Sequence, residues 1–556
     1  MFNMDKESVK VIPLGGLGEI GKNITVIEYE DEIIIIDCGI SFPDEDMYGV
    51  DLVIPDIKYL LDKKEKIKGL FLTHGHEDHI GAIPYILKQI NIPVYGTKLT
   101  LGLVENKLKE HRILDVSTII SVHTGDIIEL DKIKVEFIKA THSIADSCSL
   151  AIYTPLGVIL HTGDFKIDYT PIDGRLMDLG RIAQLGREGI MLLLADSTNV
   201  ERQGHSLSEK VIGETLIKIF SNAKGRVIVA TFASNIHRMQ QIIDASVKYN
   251  RKVIFSGRSV ENISQVAMEL GYLHVPEETS IPIEEINQYP NENITIITTG
   301  SQGEAMAGLS RIAYGSHRNI FIERDDLFLI SASPIPGNDK LVSRVINQLF
   351  RKGADVIYED LEDVHVSGHA YQEELKLIHR LVHPKYFMPV HGEYRHLKHH
   401  SDLAKKLGMK PSDVFTLETG QVLEITGDGV NTNKRVHTGT VFVDGLGVGD
   451  VGNIVLRDRR DLAKYGMITI VVAIDRHSYS IVAGPDIITR GFVYVRESEE
   501  LISKIKEVSR MEVEGCLENK NLEWQVLKTG VKKSVEHLVY NKTKRRPIVF
   551  PIIMEV

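Results

Sequence analysis

Cysteine, tryptophan and unbroken apolar runs are scarce in this sequence. Three cysteines, Cys38, Cys148 and Cys516, stand far apart among 556 residues and show no CxxC spacing. That excludes a disulfide framework and a thiolate zinc site, and it leaves three core thiols expected in a reducing compartment. No apolar stretch reaches the roughly 20 residues that cross a bilayer, and the opening MFNMDKESVK lacks the apolar segment of a leader peptide. The expectation is a cytoplasmic protein without a membrane partner. Excess positive charge is missing as well: 65 Lys and Arg against 76 Asp and Glu give a formal net charge of −11. This argues against a general nucleic-acid coat protein. It does not argue against a nuclease, whose phosphate channel needs only local positive potential.

What is present is length and a globular composition, 43% hydrophobic and 25% charged, enough for two to four domains. The stretch that organises the rest is Leu70 to Pro84. An apolar run, Leu70 to Leu72, reads as a buried strand and ends in Thr73, His74, Gly75, His76, Glu77, Asp78 and His79. Three histidines and two carboxylates at a strand end are not explained by packing. Imidazole nitrogen with carboxylate oxygen suits divalent zinc, manganese or iron. His74 and His76 project together from such a loop, while Asp78 and His79 curl back towards a second ion.

Upstream, Ile24 to Tyr29 and Ile33 to Asp37 read as a hairpin. Gly15, Gly16, Gly18 and Gly21 resemble a dinucleotide fingerprint, but a hairpin follows instead of helix then strand, so they read as a loop beside the metal site. The acidic loop Pro43 to Asp56 reads either as a solvated surface loop or as a calcium site, with Gly49, Asp51 and Asp444 as candidate contributors. Ile80 to Ile90 reads as a helix. Strands at Val94 to Gly96, Val135 to Lys139, Val158 to His161 and Leu192 to Ala195 follow, the last three leading into His142, Asp164 and Asp196. Ser206 with Glu209 reads as a capping box before a helix with Val211, Ile212, Leu216 and Phe220 on one face. From Gly225 the grammar becomes strand, helix, strand, with Val227 to Thr231, Ile236 to Tyr249 and Lys252 to Phe255, then further short strands to Tyr358. That predicts a parallel α/β sheet. A glycine-rich linker and a last segment, with a helix-like stretch Ser498 to Leu517, close the chain.

HxHxDH after a strand resembles the signature of the metallo-β-lactamase superfamily, and the α/β insertion resembles the β-CASP domain of its nucleic-acid-processing members. The whole order resembles the bacterial ribonuclease J family, including the closing RRP before an apolar strand. The fold class this implies is α/β: a metallo-β-lactamase αββα sandwich, an inserted β-CASP (Rossmann-like, parallel α/β) domain and a small C-terminal α/β domain. The expected divisions are 1–209 and 364–430 for the lactamase domain, 210–363 for the insertion, 431–464 for the linker and 465–556 for the last domain. By resemblance His142 and Asp164 are the next metal ligands, Asp196 is the motif A acid, His369 the motif B histidine and His391 the motif C histidine. The neighbouring His365, His379, His383, His396, His399 and His400 read as surface histidines.

The resemblance implies two Zn2+ ions, with Mn2+ or Mg2+ able to support activity, and Ca2+ at the acidic loop as a further candidate. Two ions about 3.5–4 Å apart activate water and neutralise phosphate oxygens. His74, His76 and His142 are assigned to one ion; Asp78, His79 and His391 hold the other, and Asp164 bridges. His369 stabilises the transition state and protonates the leaving 3′-oxygen, and Asp196 orients ligands or water. The activity implied is 5′→3′ exonuclease preferring a 5′-monophosphate, with endonuclease, in RNA maturation and mRNA decay. Phe232, Ala233 and Ser234, with His365, Val366, Ser367, Gly368 and His369, are the expected 5′-phosphate pocket. Single-stranded RNA is the expected partner, alongside a homodimer or tetramer, a paralogue or other RNA-decay proteins. An endonuclease-only enzyme and a non-catalytic subunit of a decay complex are the alternatives.

Overall fold

The computed structural model describes residues 7–44, 46–300, 307–332, 338–359, 361, 364–475, 477–492, 499–518 and 523–556. Two compact units result: one holds the chain up to Ser41 and from Ile54 to Thr440, the other Phe42–Val53 with Val441–Val556. Among the described residues no helix is long and apolar enough to cross a membrane.

The larger unit contains two facing sheets. The first has eight strands in the order Gly429–Asn431, Leu423–Thr426, Ser8–Gly15, Ile24–Tyr29, Glu32–Ile36, Ile67–Phe71, Val94–Thr97 and Ile119–Val122. The second has six: Tyr386–Val390, Ile190–Asp196, Gly157–His161, Cys148–Thr154, Lys134–Lys139 and Ile127–Glu129. Alternation decides what faces inward. Val9, Val11, Ile27, Ile34 and Phe71 from one sheet meet Val135, Phe137, Ile152, Leu192 and Met388 from the other in a continuous apolar core. The outer face of the second sheet, with Leu160, Leu193 and Phe387, is covered by Ile182 and Leu185, Ile378 and Val382, and Leu403 and Ala404, from three helices. This is the sandwich the sequence implied.

Strand direction then positions the chemistry. Gly157–His161, Ile190–Asp196 and Tyr386–Val390 are parallel neighbours, with Leu194 opposite Met388 and Asp196 opposite Val390. Their carboxyl ends therefore share one edge, which brings Asp164, Asp196 and His391 together.

The insertion holds a five-stranded, all-parallel sheet: Lys252–Ser256, Ile294–Thr298, Val227–Ala230, Leu327–Ile330 and Asp355–Ile357. Arg238, fully buried, ties it back towards the sandwich. Its guanidinium pairs with Glu209 at 2.8 Å and donates to the Val364 carbonyl at 2.7 Å. Asp363, the expected end of this domain, lies outside the described residues.

The smaller unit packs a three-stranded sheet, Ser480–Arg490, Met467–Asp475 and Ile548–Glu555, against the helices Glu499–Glu518 and Trp524–Thr543. Ser498, the expected start of the first of these helices, lies outside the described residues.

Four local readings need correction. Ile80 to Ile90 is two short helices, Glu77–Ile80 and Ile83–Leu87, because the loop turns helical at the metal motif itself and breaks at Gly81. The helix Glu209–Asn222 is capped by Ser208, not by a Ser206–Glu209 box. Ser206 instead donates to Glu374, and Glu209 is drawn away by Arg238. Residues 431–464, read as a linker, carry the strand Thr440–Asp444 and all but the last residue of the helix Asn453–Tyr465. The acidic loop is not merely solvated, since Val50 and Val53 pack with Val451 and Leu456.

Candidate metal centre

Three overlapping side-chain sets converge at the sheet edge. His74, His76, His142 and Asp164 form the first, Asp78, His79, Asp164 and His391 the second, and Asp164, Asp196, His369 and His391 the third; within each set the facing atoms all lie within 4.8 Å of one another. Asp164 belongs to all three, and the first two share nothing else. Its Oδ2 lies 3.6 Å from His74 Nε2, 3.8 Å from His142 Nε2, 3.2 Å from His79 Nε2 and 3.5 Å from His391 Nε2. His76 presents Nδ1 to the same space, 3.0 Å from His74 Nε2 and 3.1 Å from His142 Nε2.

The outward nitrogen of four of these rings is held by the protein. His74 Nδ1 meets Thr73 Oγ1 at 3.0 Å, His142 Nδ1 the Gly368 carbonyl at 2.7 Å, His79 Nδ1 the Asp37 carboxylate at 2.8 Å and His391 Nδ1 Thr198 Oγ1 at 2.6 Å. Orienting the far nitrogen this way is how proteins aim an imidazole at a metal. The backbone is strained at the same place: Asp37 and His391 have φ of 59° and 55°. Such left-handed residues persist only where their surroundings fix them. Asp37 is fixed by accepting from the Thr73 amide and hydroxyl, both at 2.8 Å, besides His79.

Electrostatics divides the first two sets. Burial and neighbouring imidazoles hold His74 and His142 well below the usual histidine range, and burial brings His76 to about 4. All three are neutral at pH 7, the form in which imidazole binds a metal. Burial also pushes His79 and His391 down, but the carboxylates around them, Asp164 foremost, reverse this and raise both well above 6.5. Burial alone would push Asp78 and Asp164 up, yet His79 and His391 hold both below the usual carboxylate range. The buried carboxylates thus demand positive charge at the centre. A divalent cation there takes over the charge those two imidazolium groups carry, and the donor set of neutral nitrogens and carboxylate oxygens fits it.

Asp196 and His369, which complete the third set with Asp164 and His391, form a pair beside the first two. His369 Nδ1 lies 2.8 Å from Asp196 Oδ2, and Asp196 Oδ1 accepts from the Thr198 amide and hydroxyl. Burial lowers the His369 pKa, but Asp196 overcomes that and raises it above 6.5.

Of the eight residues expected to hold a 5′-phosphate, Phe232, Ala233 and Ser234 are half-buried and precede the helix Ile236–Lys248, which Asn235 caps. His365, Val366, Ser367 and Gly368 lead into His369. Arg238 links the two segments, lying in that helix and donating to the Val364 carbonyl. A small pocket runs from His142 to His237 in the first turn of the same helix, with Lys139, Asp168, Asp173 and Glu209 in its wall.

The calcium candidates are brought near each other, but a cation already occupies the place. Arg459 donates to Asp444 at 2.6 Å and to the Tyr48 carbonyl at 2.9 Å, and its Nη1 would lie 2.7 Å from a Cβ built on Gly49. Asp51 turns away to accept from the Gly445 amide at 2.8 Å. Nor are all the neighbouring histidines on the surface. His379, His396 and His400 are buried, because the helices that carry them pack on the second sheet.

Sequence reading missed Asn23, whose amide lies 3.0 Å from the Asp78 carbonyl and 3.1 Å from His79 Nε2. It also missed Thr198 and Asn199, the latter donating to Ser367 at 2.6 Å. The only signal was the polar run after a strand end, which turns also show.

Four family models match the chain: the metallo-beta-lactamase superfamily over residues 17–206, the ribonuclease J beta-CASP domain over 224–349, the Zn-dependent metallo-hydrolase RNA specificity domain over 353–416 and the ribonuclease J C-terminal domain over 454–556. The chain is 44% identical over 556 residues to Ribonuclease J2 of Bacillus subtilis (strain 168), covering 100% of both. It is 44% identical to Ribonuclease J 1 of Streptococcus pyogenes serotype M3, covering 100% of this chain and 99% of that one. Ribonuclease J 2 of Staphylococcus aureus (strain MRSA252) is 40% identical over the full length of both. Among solved structures, a protein of unknown function from Enterococcus faecalis V583 shares the fold, with a TM-score of 0.53 at 18% identity, over 75% of this chain and 100% of that one. Sandwich, insertion and converging histidines lead to the same place: the chain belongs to the ribonuclease J family and is a metal-dependent hydrolase of RNA.

Proposed function

We propose that the enzyme binds two zinc ions and removes nucleotides from the 5′ end of single-stranded RNA, preferring a 5′-monophosphate and also cutting internally. The observation that carries the reading is Asp164, common to two otherwise separate ligand sets. In this reading His74, His76 and His142 hold one ion, Asp78, His79 and His391 the other, and Asp164 both. The ions, when bound, neutralise the phosphate and lower the pKa of water.

The chain's own residues do the rest. Thr73, Gly368, Asp37 and Thr198 aim the imidazoles. Asp196 favours the protonated form of His369, which would donate a proton to the leaving 3′-oxygen so that products keep a 5′-phosphate. The pocket beside His142 reaches the helix that Phe232, Ala233 and Ser234 precede. Backbone amides there and at Ser367–Gly368 suit a terminal phosphate. A cytoplasmic setting and a homodimer or tetramer complete the proposal.

The test uses internally labelled single-stranded RNA with a 5′-monophosphate or 5′-triphosphate, in Mn2+ or Mg2+, beside His76→Ala. Mononucleotides are expected faster from the monophosphate, and at least 10³-fold slower in the variant, a loss of about 4 kcal/mol of transition-state stabilisation. Discrete fragments indifferent to the 5′ end would overturn the exonuclease reading in favour of the endonuclease.

A further inference from the structure

Beside the centre, three buried side chains from three elements touch in series. His379 comes from the helix Gln372–Val382, His400 from Tyr394–Lys406, and Ser197 directly follows the strand Ile190–Asp196. His379 Nε2 lies 3.2 Å from His400 Nε2, and His400 Nδ1 lies 2.9 Å from Ser197 Oγ. His400 and Ser197 are 0% exposed. A Phe387 ring packed on both imidazoles closes the space.

The direction of the hydrogen bonds follows from one unpartnered atom. Burial brings His379 to about 4 and keeps His400 well below the usual range, so each ring carries a single N–H. His379 Nδ1 is buried and has no hydrogen-bond partner among the described residues. An orphan N–H there costs more than an idle lone pair, so the proton sits on Nε2 and donates to His400 Nε2. His400 must then carry its proton on Nδ1 and donate it to Ser197 Oγ. The serine hydroxyl is left to donate to the Ala195 carbonyl at 3.3 Å.

Ser197 is where this series meets the centre. Its amide donates to the carbonyl of His391, the residue at φ 55°, at 3.2 Å. Its neighbours Asp196 and Thr198 hold His369 and His391 by their outer nitrogens. We propose that His379, His400 and Ser197 form a one-way positioning relay that locks the Asp196–Thr198 turn, and through it the orientation of His391 and His369. None of the three touches substrate or the reacting atoms. The inference rests on the two-ion reading above.

The test titrates metal-free protein with Mn2+ and, separately, measures kcat and KM. His400→Phe keeps the ring volume and removes both nitrogens. It is expected to weaken the weaker of the two Mn2+ binding steps by 10- to 100-fold and to lower kcat similarly with KM unchanged. His400→Asn places an amide N–H where Nδ1 was and should restore both to within about threefold of wild type, a difference under 1 kcal/mol; a role in packing alone would favour Phe over Asn. Ser197→Ala should match His400→Phe, and the double variant should be no worse than either. Wild-type binding and kcat in His400→Phe or Ser197→Ala, or losses that multiply in the double variant, would overturn the relay. If His400→Phe shows no cooperative thermal transition, Ser197→Ala decides alone. No Mn2+ uptake by the unaltered enzyme would instead refute the metal reading, and the relay with it.

Discussion

A buried carboxylate needs positive charge or hydrogen bonds, and two residues show the two solutions. Asp164 sits among five imidazoles. Glu28, far from the centre, sits among Lys10 and Lys63, at 2.7 and 2.6 Å, and the Tyr59 hydroxyl at 2.5 Å. Burial alone would raise the Glu28 pKa, but its three donors outweigh it and lower the value to about 2 from 4.5. The ionised form is the one the fold prefers. Its contribution is therefore full above pH 4.5 and lost as pH falls towards 2, and is about 2 kcal/mol after allowing for the part-exposed lysines. Urea unfolding of Glu28→Gln beside wild type should show a stability gap at pH 7 that narrows by more than half between pH 5 and pH 3. A gap constant over that range would assign Glu28 a packing role only. Residues of this kind were not legible in the sequence, since a Glu on a strand looks the same paired or solvated. The metal motif was legible because packing has no use for three histidines within six residues. Thr198, Asn23 and His400 were not, because Thr and Asn beside strands are ordinary turn residues and a helical His is ordinary surface.

At the scale of elements, the hairpin and the metal loop touch through bare backbone. A Cβ built on Gly39 would lie 1.5 Å from the Asp78 carbonyl oxygen, and one on Gly368 2.6 Å from His142 Cε1. Neither neighbour is the free end of a flexible side chain. Gly39→Ala should therefore push the loop carrying Asp78 and His79 out of place, with metal uptake and turnover down at least 100-fold, about 3 kcal/mol, and circular dichroism unchanged. Full uptake would mean the loop can yield by more than an ångström. Strand positions were readable from apolar runs, and the all-parallel insertion from its strand–helix alternation. Boundaries failed where side chains had better partners elsewhere, as when Glu374 took Ser206 and Arg238 took Glu209 from the expected cap. Arg459 similarly fills the acidic loop that could have been read for calcium, a competition between residues some 400 positions apart that no local pattern carries.

On the scale of the molecule, the C-terminal unit is not a tail. Phe42–Val53 belongs to it, and Val50 and Val53 are buried with Val451 and Leu456. Ending the chain at Thr440 should leave that loop with exposed apolar side chains. Limited proteolysis is expected to cut the truncated protein within 42–53 at least tenfold faster than the full chain, and deleting those residues as well should remove the effect. Equal cleavage rates would show the loop holds its shape alone. The sandwich too is finished late, because Tyr386–Val390 and Leu423–Thr426 close sheets begun before residue 200. A ribosome adding 5–20 residues per second takes roughly 10 to 45 s to pass from Asp164 to His391. On the ligand set proposed above, the second ion has no complete seat during that time. A chain still being translated is thus unarmed towards the message that encodes it until the insertion has been read through.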